Sequence, residues 1–389
     1  MGTPRKYKDT LALALDAERL LYASKFGNEI KEIVLSDQFL QIPANDRAKL
    51  LKLIGQIVLY RTSDITASEK LLKRSTIQQK KHIAKLSHNK YEISLKRRSN
   101  KPTKKEKALT QEIACAKEEL YKTMLLRAEI ILMGGKPGNI SHCRNIISQV
   151  LDILIEELDL TPEKSIKKDK KYYRKSINAV KEVVANYKDL PWEYQYIFAY
   201  CLYVYALTFK YAPGNTLDLV MQEFLDFISG VELSQGKQHT PYWVVELTHQ
   251  AWAWKEIQRA RRGEYSEAAK ELLKLQSVTP FWWVYLRAAV QYAFIQAFKL
   301  GNLNEANDCL DHLKIYDMTP DLKLIWLMTK VYCQKKLGKQ SETDYKSNVI
   351  QLNNIISKYR NYPGSNSKSL LIEAFHKEIG ELKNFPALA

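Results

Sequence analysis

Arg262-Gly263-Glu264-Tyr265-Ser266-Glu267-Ala268-Ala269, then Thr279-Pro280-Phe281-Trp282-Trp283, then Leu300-Gly301-Asn302-Leu303-Asn304-Glu305-Ala306 is the stretch whose reading decides the fold. Glycine takes a left-handed turn without a Cβ penalty, so Gly263 and Gly301 each read as the end of one helix. Thr-Pro reads as a helix start. Threonine can accept a hydrogen bond from an orphan backbone N–H, and proline at the first helical position has no N–H to lose. Alanines Ala268 and Ala306 fall at matching places after the glycines, where a small residue lets two antiparallel helices approach closely.

The same punctuation repeats outward from this stretch. Gly263, Gly301 and Gly338 are 38 and 37 residues apart, and Thr240-Pro241, Thr279-Pro280 and Thr319-Pro320 are 39 and 40 apart. A period near 40 is what stacked helical hairpins produce. The expected fold is all-α, with antiparallel hairpins piled as a solenoid.

These residues resemble the tetratricopeptide repeat. Trp252 falls on the family's early tryptophan position, Tyr265 on the aromatic after the turn, and Ala268 on the small residue. Leu272, Leu275 and Pro280 complete that copy. The copy at Gly301 keeps Leu303, Ala306, Leu310 and Leu313, with Pro320 two residues late. The copy at Gly338 departs further, with Thr343 in place of the alanine. Glu256, Phe294 and Val331 stand where the family has a small residue in the first helix. The likeness covers about 241–358 and implies a layer of first helices facing a protein partner. A fainter echo, Gly138-Asn139-Ile140-Ser141-His142-Cys143 followed by Thr161-Pro162, carries helical hairpins back to about residue 107.

Four regions follow: a helical N-terminal region over 1–65, a basic, exposed helical arm or linker over 66–106, the array over 107–362, and a capping helix within 363–389. That last helix is expected from Ser367 to Leu382, after Pro363-Gly364-Ser365. With 389 residues, 46% hydrophobic, the chain is long enough for a substantial core, and it carries no Asn-Gly or Asp-Gly hairpin signal. Five cysteines stand singly with no Cys-x-x-Cys pair, which argues against a disulfide framework or a zinc site and for a reducing, cytoplasmic setting. Nuclear placement, or delivery by a signal not legible in the sequence, stays open. No secretory or myristoylation pattern opens the chain. The longest uncharged run, Tyr194–Phe209, is 16 residues with five tyrosines, short of a membrane span.

The net charge of +17 is unevenly spread. Residues 69–107 hold fourteen Lys/Arg against three Asp/Glu, a net of +11, whereas 108–240 is close to neutral. Lys73, Arg74, Lys80, Lys81, Lys96, Arg97, Arg98, Lys104 and Lys105 are the arm's candidate phosphate-binding residues. Its apolar residues fit no single helical stripe well. Pro102 breaks the helix, and Thr103-Lys104-Lys105-Glu106 reads as a capping box opening the next one. Three readings of the arm stay open: a solvated helical hairpin, a nucleic-acid backbone contact, and attraction to an anionic membrane face. A second basic cluster, Lys164 to Lys175, could extend any of them.

The chemistry-bearing residues form no catalytic set. Seven histidines are scattered, no His-Glu-x-x-His occurs, and no phosphate-cradling glycine motif is present. Met133-Gly134-Gly135-Lys136-Pro137-Gly138 reads as a turn between helices. No cofactor and no metal are expected, and the chain reads as a non-enzyme. What is concentrated is aromatic: nine aromatics lie between Trp192 and Tyr211, and more follow on the first helices. Most of these should be core, since large aromatics are usually buried. Trp252, Arg259, Tyr285, Arg287, Gln291 and Tyr292 are the candidates for a partner-binding groove, with Gln250, Lys255 and Gln258 as flanking polar groups. The expected function is a scaffold or adaptor that grips a protein segment. The alternative is an RNA- or DNA-associated repeat protein holding phosphate through 69–107.

Overall fold

The computed structural model describes residues 41–62, 64–96, 101–135, 137–157, 192–212, 214–235, 240–313 and 318–360. Most of the N-terminal region, Arg97 and Arg98, Thr161-Pro162, the basic cluster at 164–175 and the expected helix Ser367–Leu382 lie outside these residues. The described chain is all-α, with twelve helices and no strand among the described residues. It divides into two compact units, 1–130 and 131–389, and the division falls inside one long helix.

Three helices build the first unit: α1 (Ala44–Thr62), α2 (Ile65–Lys96) and α3 (Lys104–Met133). Within the basic arm, Ile65–Lys96 is one continuous 32-residue helix, and the expectation of an exposed arm needs correction, because its first half is packed on α1. The contact works because its residues are small. Ser68 Oγ donates to the Gly55 carbonyl at 2.7 Å, and Ser75 Oγ to the Ala48 carbonyl at 2.7 Å. Gly55 is needed there, since a Cβ would sit 3.3 Å from both Leu72 Cγ and the Ser68 carbonyl oxygen. The buried stripe on α2 is Ile65, Ser68, Leu72, Ser75, Thr76, Gln79 and Leu86, a three-four spacing filled largely by polar side chains.

α3 runs antiparallel to α2. Arg127 Nε donates to Glu69 Oε1 at 2.6 Å, and Gln79 Nε2 to Thr123 Oγ1 at 2.9 Å. Its start is the capping box expected from the sequence. Thr103 N–H donates to Glu106 Oε2 at 2.6 Å, and Glu106 N–H to Thr103 Oγ1 at 3.1 Å.

The second unit continues with α4 (Pro137–Glu157), α5 (Trp192–Leu207), α6 (Thr216–Gln235), α7 (Tyr242–Arg261), α8 (Tyr265–Val278), α9 (Trp282–Ile295), α10 (Leu303–Asp311), α11 (Pro320–Lys336) and α12 (Thr343–Arg360). Packing here has translational order. First helices touch first helices: α5 on α7, α7 on α9, α9 on α11. Each second helix touches the first helix of its own hairpin and of the next: α6 on α7, α8 on α9, α10 on α11. This is a two-layered helical stack, as the period required.

The glycines punctuate it as expected. Gly263, Gly301 and Gly338 have φ of 94°, 76° and 75°. At Gly338 two bonds close the helix: its own N–H to the Lys335 carbonyl (3.2 Å) and the Lys339 N–H to the Gln334 carbonyl (2.8 Å). Before Gly301 the helix widens into a π turn, Gln296–Leu300, and the closing bond reaches one residue further back, from Asn302 N–H to the Gln296 carbonyl.

The Thr-Pro pairs need correction. Only Pro320 occupies the first position of a helix; α7 and α9 begin one and two residues after their prolines. In none of these three pairs does the threonine hydroxyl make a cap bond to the helix from the N-cap position. Thr279 Oγ1 instead accepts the Phe281 N–H at 3.3 Å, across the proline. The echo at Gly138 is also displaced. Gly138 lies in the first turn of α4, and the left-handed residue of that turn is Gly135, with φ of 61°. Ala268 and Ala306 are fully buried, while Thr343 is exposed and α12 starts five residues after its glycine rather than two.

Candidate binding surfaces

The six groove candidates fall on two different faces of their helices. Trp252 and Arg259 look toward α8: Lys274 Nζ sits 5.4 Å from the Trp252 ring centroid, and Arg259 pairs with Glu256 at 2.8 Å and Glu264 at 3.5 Å. Tyr292 looks toward α10, where its hydroxyl donates to Glu305. Tyr285 stacks on Trp282, centroids 5.3 Å apart. Arg287 and Gln291 share the other face, toward the neighbouring first helices, and both are buried, as is Tyr292. Helical geometry requires this split, because residues two apart lie about 200° apart around the axis. Lys255 is engaged elsewhere, donating to Gln222 on α6 at 2.6 Å.

The layer of first helices carries a polar ladder that the sequence did not reveal. Tyr203 on α5 donates to Gln250 Oε1 on α7 at 2.7 Å, Gln250 Nε2 donates to Glu246 Oε1 at 2.8 Å, and Trp283 Nε1 on α9 donates to that same oxygen. Gln250, Glu246 and Trp283 are half-buried. At the start of α7 and α9, Tyr242 and Trp282 are 57% and 39% exposed, one repeat apart.

Below this ladder lies a buried charge cluster. Lys210 and Tyr211 follow α5, Arg261 and Trp254 come from α7, Arg287 from α9 and Asp321 from α11. Asp321 Oδ2 is 3.9 Å from both Lys210 Nζ and Arg287 Nη1. Arg261 Nη1 donates to the Lys210 carbonyl at 2.8 Å, and the Arg287 guanidinium lies 4.7 Å from the Trp254 ring centroid. Two cations, Lys210 and Arg287, share the Asp321 carboxylate, and Arg261 adds a third positive charge beside Lys210. Burial pushes Lys210 down to about 8, opposed by Asp321 and reinforced by Arg287 and Arg261. For Asp321, burial pulls upward, but Lys210 and Arg287 outweigh it and hold the carboxyl below its ordinary range. Burial likewise pushes the Tyr211 phenol well up.

Glu256, at a family small-residue position, is buried; burial raises its carboxyl despite the Arg259 contact. The other odd positions are apolar filler: Phe294 and Val331 are buried in the same core.

In the first unit, the candidate phosphate-binding residues within the described chain are all at the surface. Lys73, Arg74, Lys80, Lys81 and Lys96 are exposed on α2, as are Lys70 and Lys85; Lys104 and Lys105 are exposed at the start of α3. The carboxylates nearby in sequence are mostly occupied. Glu69 holds Arg127, Glu106 caps α3, and Glu119 holds Lys52 at 3.2 Å.

Among the described residues no group of three His, Cys, Asp or Glu side chains could hold a metal ion, and no helix is long and apolar enough to cross a membrane. Cys143, Cys201 and Cys333 are buried as core filler and Cys115 is exposed; all are free thiols. No protein-family model matches the chain, and neither a curated protein nor a solved structure shows significant similarity to it.

Proposed function

We propose that the chain is a non-enzymatic, tetratricopeptide-like scaffold that holds a segment of a protein partner along the layer of first helices. The observation that carries this reading is the ladder Tyr203–Gln250–Glu246–Trp283. It crosses three successive first helices and keeps hydrogen-bonding groups half-buried on one layer. The exposed rings of Tyr242 and Trp282 add amphipathic contact area that loses little entropy on binding. Among the described residues the second helices carry a sparser set of exposed large apolar side chains: Leu219 on α6, Leu273 and Val278 on α8, and Ile350 on α12.

The test is site-specific photocrosslinking in the native cell. A photoreactive residue at Tyr242, Gln250 or Trp282 should capture a protein, and one at Leu273 or Ile350 should not. Capture only from the second-helix positions, or of no protein from any position, would overturn the proposal.

A further inference from the structure

The packed face of α2 leaves an outward face of mixed character. Taking 100° per residue from buried Leu72, the outward side carries Lys70, Lys73, Arg74, Ile77, Lys80, Lys81, Ala84, Lys85, His88, Tyr91 and Leu95. Three of these are large and exposed: Ile77 at 44%, Tyr91 at 61% and Leu95 at 66%. They sit on a second three-four stripe, 77-81-84-88-91-95, about 150° around the helix from the buried one. Lysines flank it on both sides, Lys73 and Lys80 on one and Arg74 and Lys85 on the other. The one carboxylate at its margin, Glu92, is engaged by His88 at 3.3 Å.

We propose that this outward face of α2 docks an acidic amphipathic helix of a protein partner. The site is separate from the first-helix layer and does not depend on it. A stripe of Ile77, Ala84, Tyr91 and Leu95, interrupted by Lys81 and His88 and flanked by lysines, is complementary to a helix that pairs an apolar stripe with glutamates, and the charges set register while the apolar contacts hold. From Ile77 to Leu95 the stripe is about 27 Å long, the length of a partner helix of roughly 18 residues.

Other occupants fit less well. A nucleic-acid backbone would use the lysines, yet it would leave Ile77 and Leu95 without a counterpart, and Tyr91 alone could stack on a base. Insertion into a lipid surface needs a broad apolar face, whereas Lys81 and His88 interrupt the stripe here. A second copy of α2 would set lysine against lysine.

Fluorescence anisotropy with the full-length protein tests this. Three probes are used: a helical peptide of about 20 residues with a leucine stripe flanked by glutamates, a scrambled peptide of the same composition, and an oligouridylate. The amphipathic peptide should bind at least about tenfold more tightly than the scrambled one. Ile77→Gln with Tyr91→Gln and Leu95→Gln should abolish that difference, with helix content by circular dichroism unchanged because all three side chains are exposed. Lys73→Gln with Lys80→Gln, Lys81→Gln and Lys85→Gln should weaken every probe. Equal binding of the two peptides, binding of neither, or a silent apolar variant would overturn the proposal. The last result, with oligouridylate the tightest ligand, would make α2 a polyanion site.

Discussion

Lys210 should make the second unit more stable as the solution becomes more alkaline, and Lys210→Met should remove that dependence. The lysine is 4% exposed and faces Asp321 from α11, Arg287 from α9, Arg261 from α7 and the Cys143 thiol from α4. It ordinarily titrates at 10.5 and is brought down to about 8 in the fold. Between those values the unfolded chain holds a proton that the folded chain has released, so stability rises with pH. Its contribution is complete above about 10.5 and is lost as pH falls through about 8. At roughly 1.4 kcal/mol per decade of pH, the swing is on the order of 3 kcal/mol.

Buried thiols pull the other way above pH 9, because burial pushes Cys201, Cys309 and Cys333 up. The quantity to follow is therefore the wild-type minus variant difference, in which those groups cancel. Tryptophan fluorescence reads it cleanly in guanidinium titrations, since all seven tryptophans lie between Trp192 and Trp326, within the second unit. The difference should climb by on the order of 3 kcal/mol from pH 7 to pH 10.5. A difference that stays flat across that window would refute the burial of Lys210 among Asp321, Arg287 and Arg261.

Other expectations concern backbone and packing. Gly301→Ala should cost roughly 1–2 kcal/mol, because φ is 76° and no atom lies within 4 Å of the added Cβ, so strain is the whole effect. Gly138→Ala, inside the first turn of α4 and equally uncrowded, should instead gain about 0.5–1 kcal/mol; thermal melts of the two variants should move in opposite directions. Thr103→Ala removes half of the capping box and should cost about 1 kcal/mol, read as faster hydrogen exchange in the first turn of α3. Gly55→Val should drive α1 from α2 and cost roughly 1–3 kcal/mol or more, seen as loss of protection along 65–79.

The stack was legible because its punctuation is chemically unambiguous. A glycine in the left-handed region has few substitutes, so Gly263, Gly301 and Gly338 mark helix ends to within two residues. Thr-Pro was a weaker signal. Proline suits an extended approach to a helix as well as its first turn, and α7 and α9 use it in the former way. The packed face of α2 escaped the sequence because it is built from Ser68, Ser75, Thr76 and Gln79, which a hydrophobic pattern does not count. The groove candidates scattered because aromatic content reports burial before it reports a surface: Tyr196, Phe198 and Tyr203 are almost wholly enclosed. Glu246, the centre of the polar ladder, carried no marker at all. Its role depends on Gln250 one turn away and Trp283 on the next first helix, a contact that only the stacking creates.

A linear stack requires hairpins that advance in one direction by a near-constant step. Pulsed electron spin resonance between nitroxide-bearing residues introduced at Lys270 on α8, Asp308 on α10 and Lys346 on α12, all exposed, measures it directly with the native cysteines left in place. In a linear array the separation from 270 to 346 should be about twice that from 270 to 308. A 270–346 separation equal to or shorter than the single step would show a closed bundle and contradict the stack.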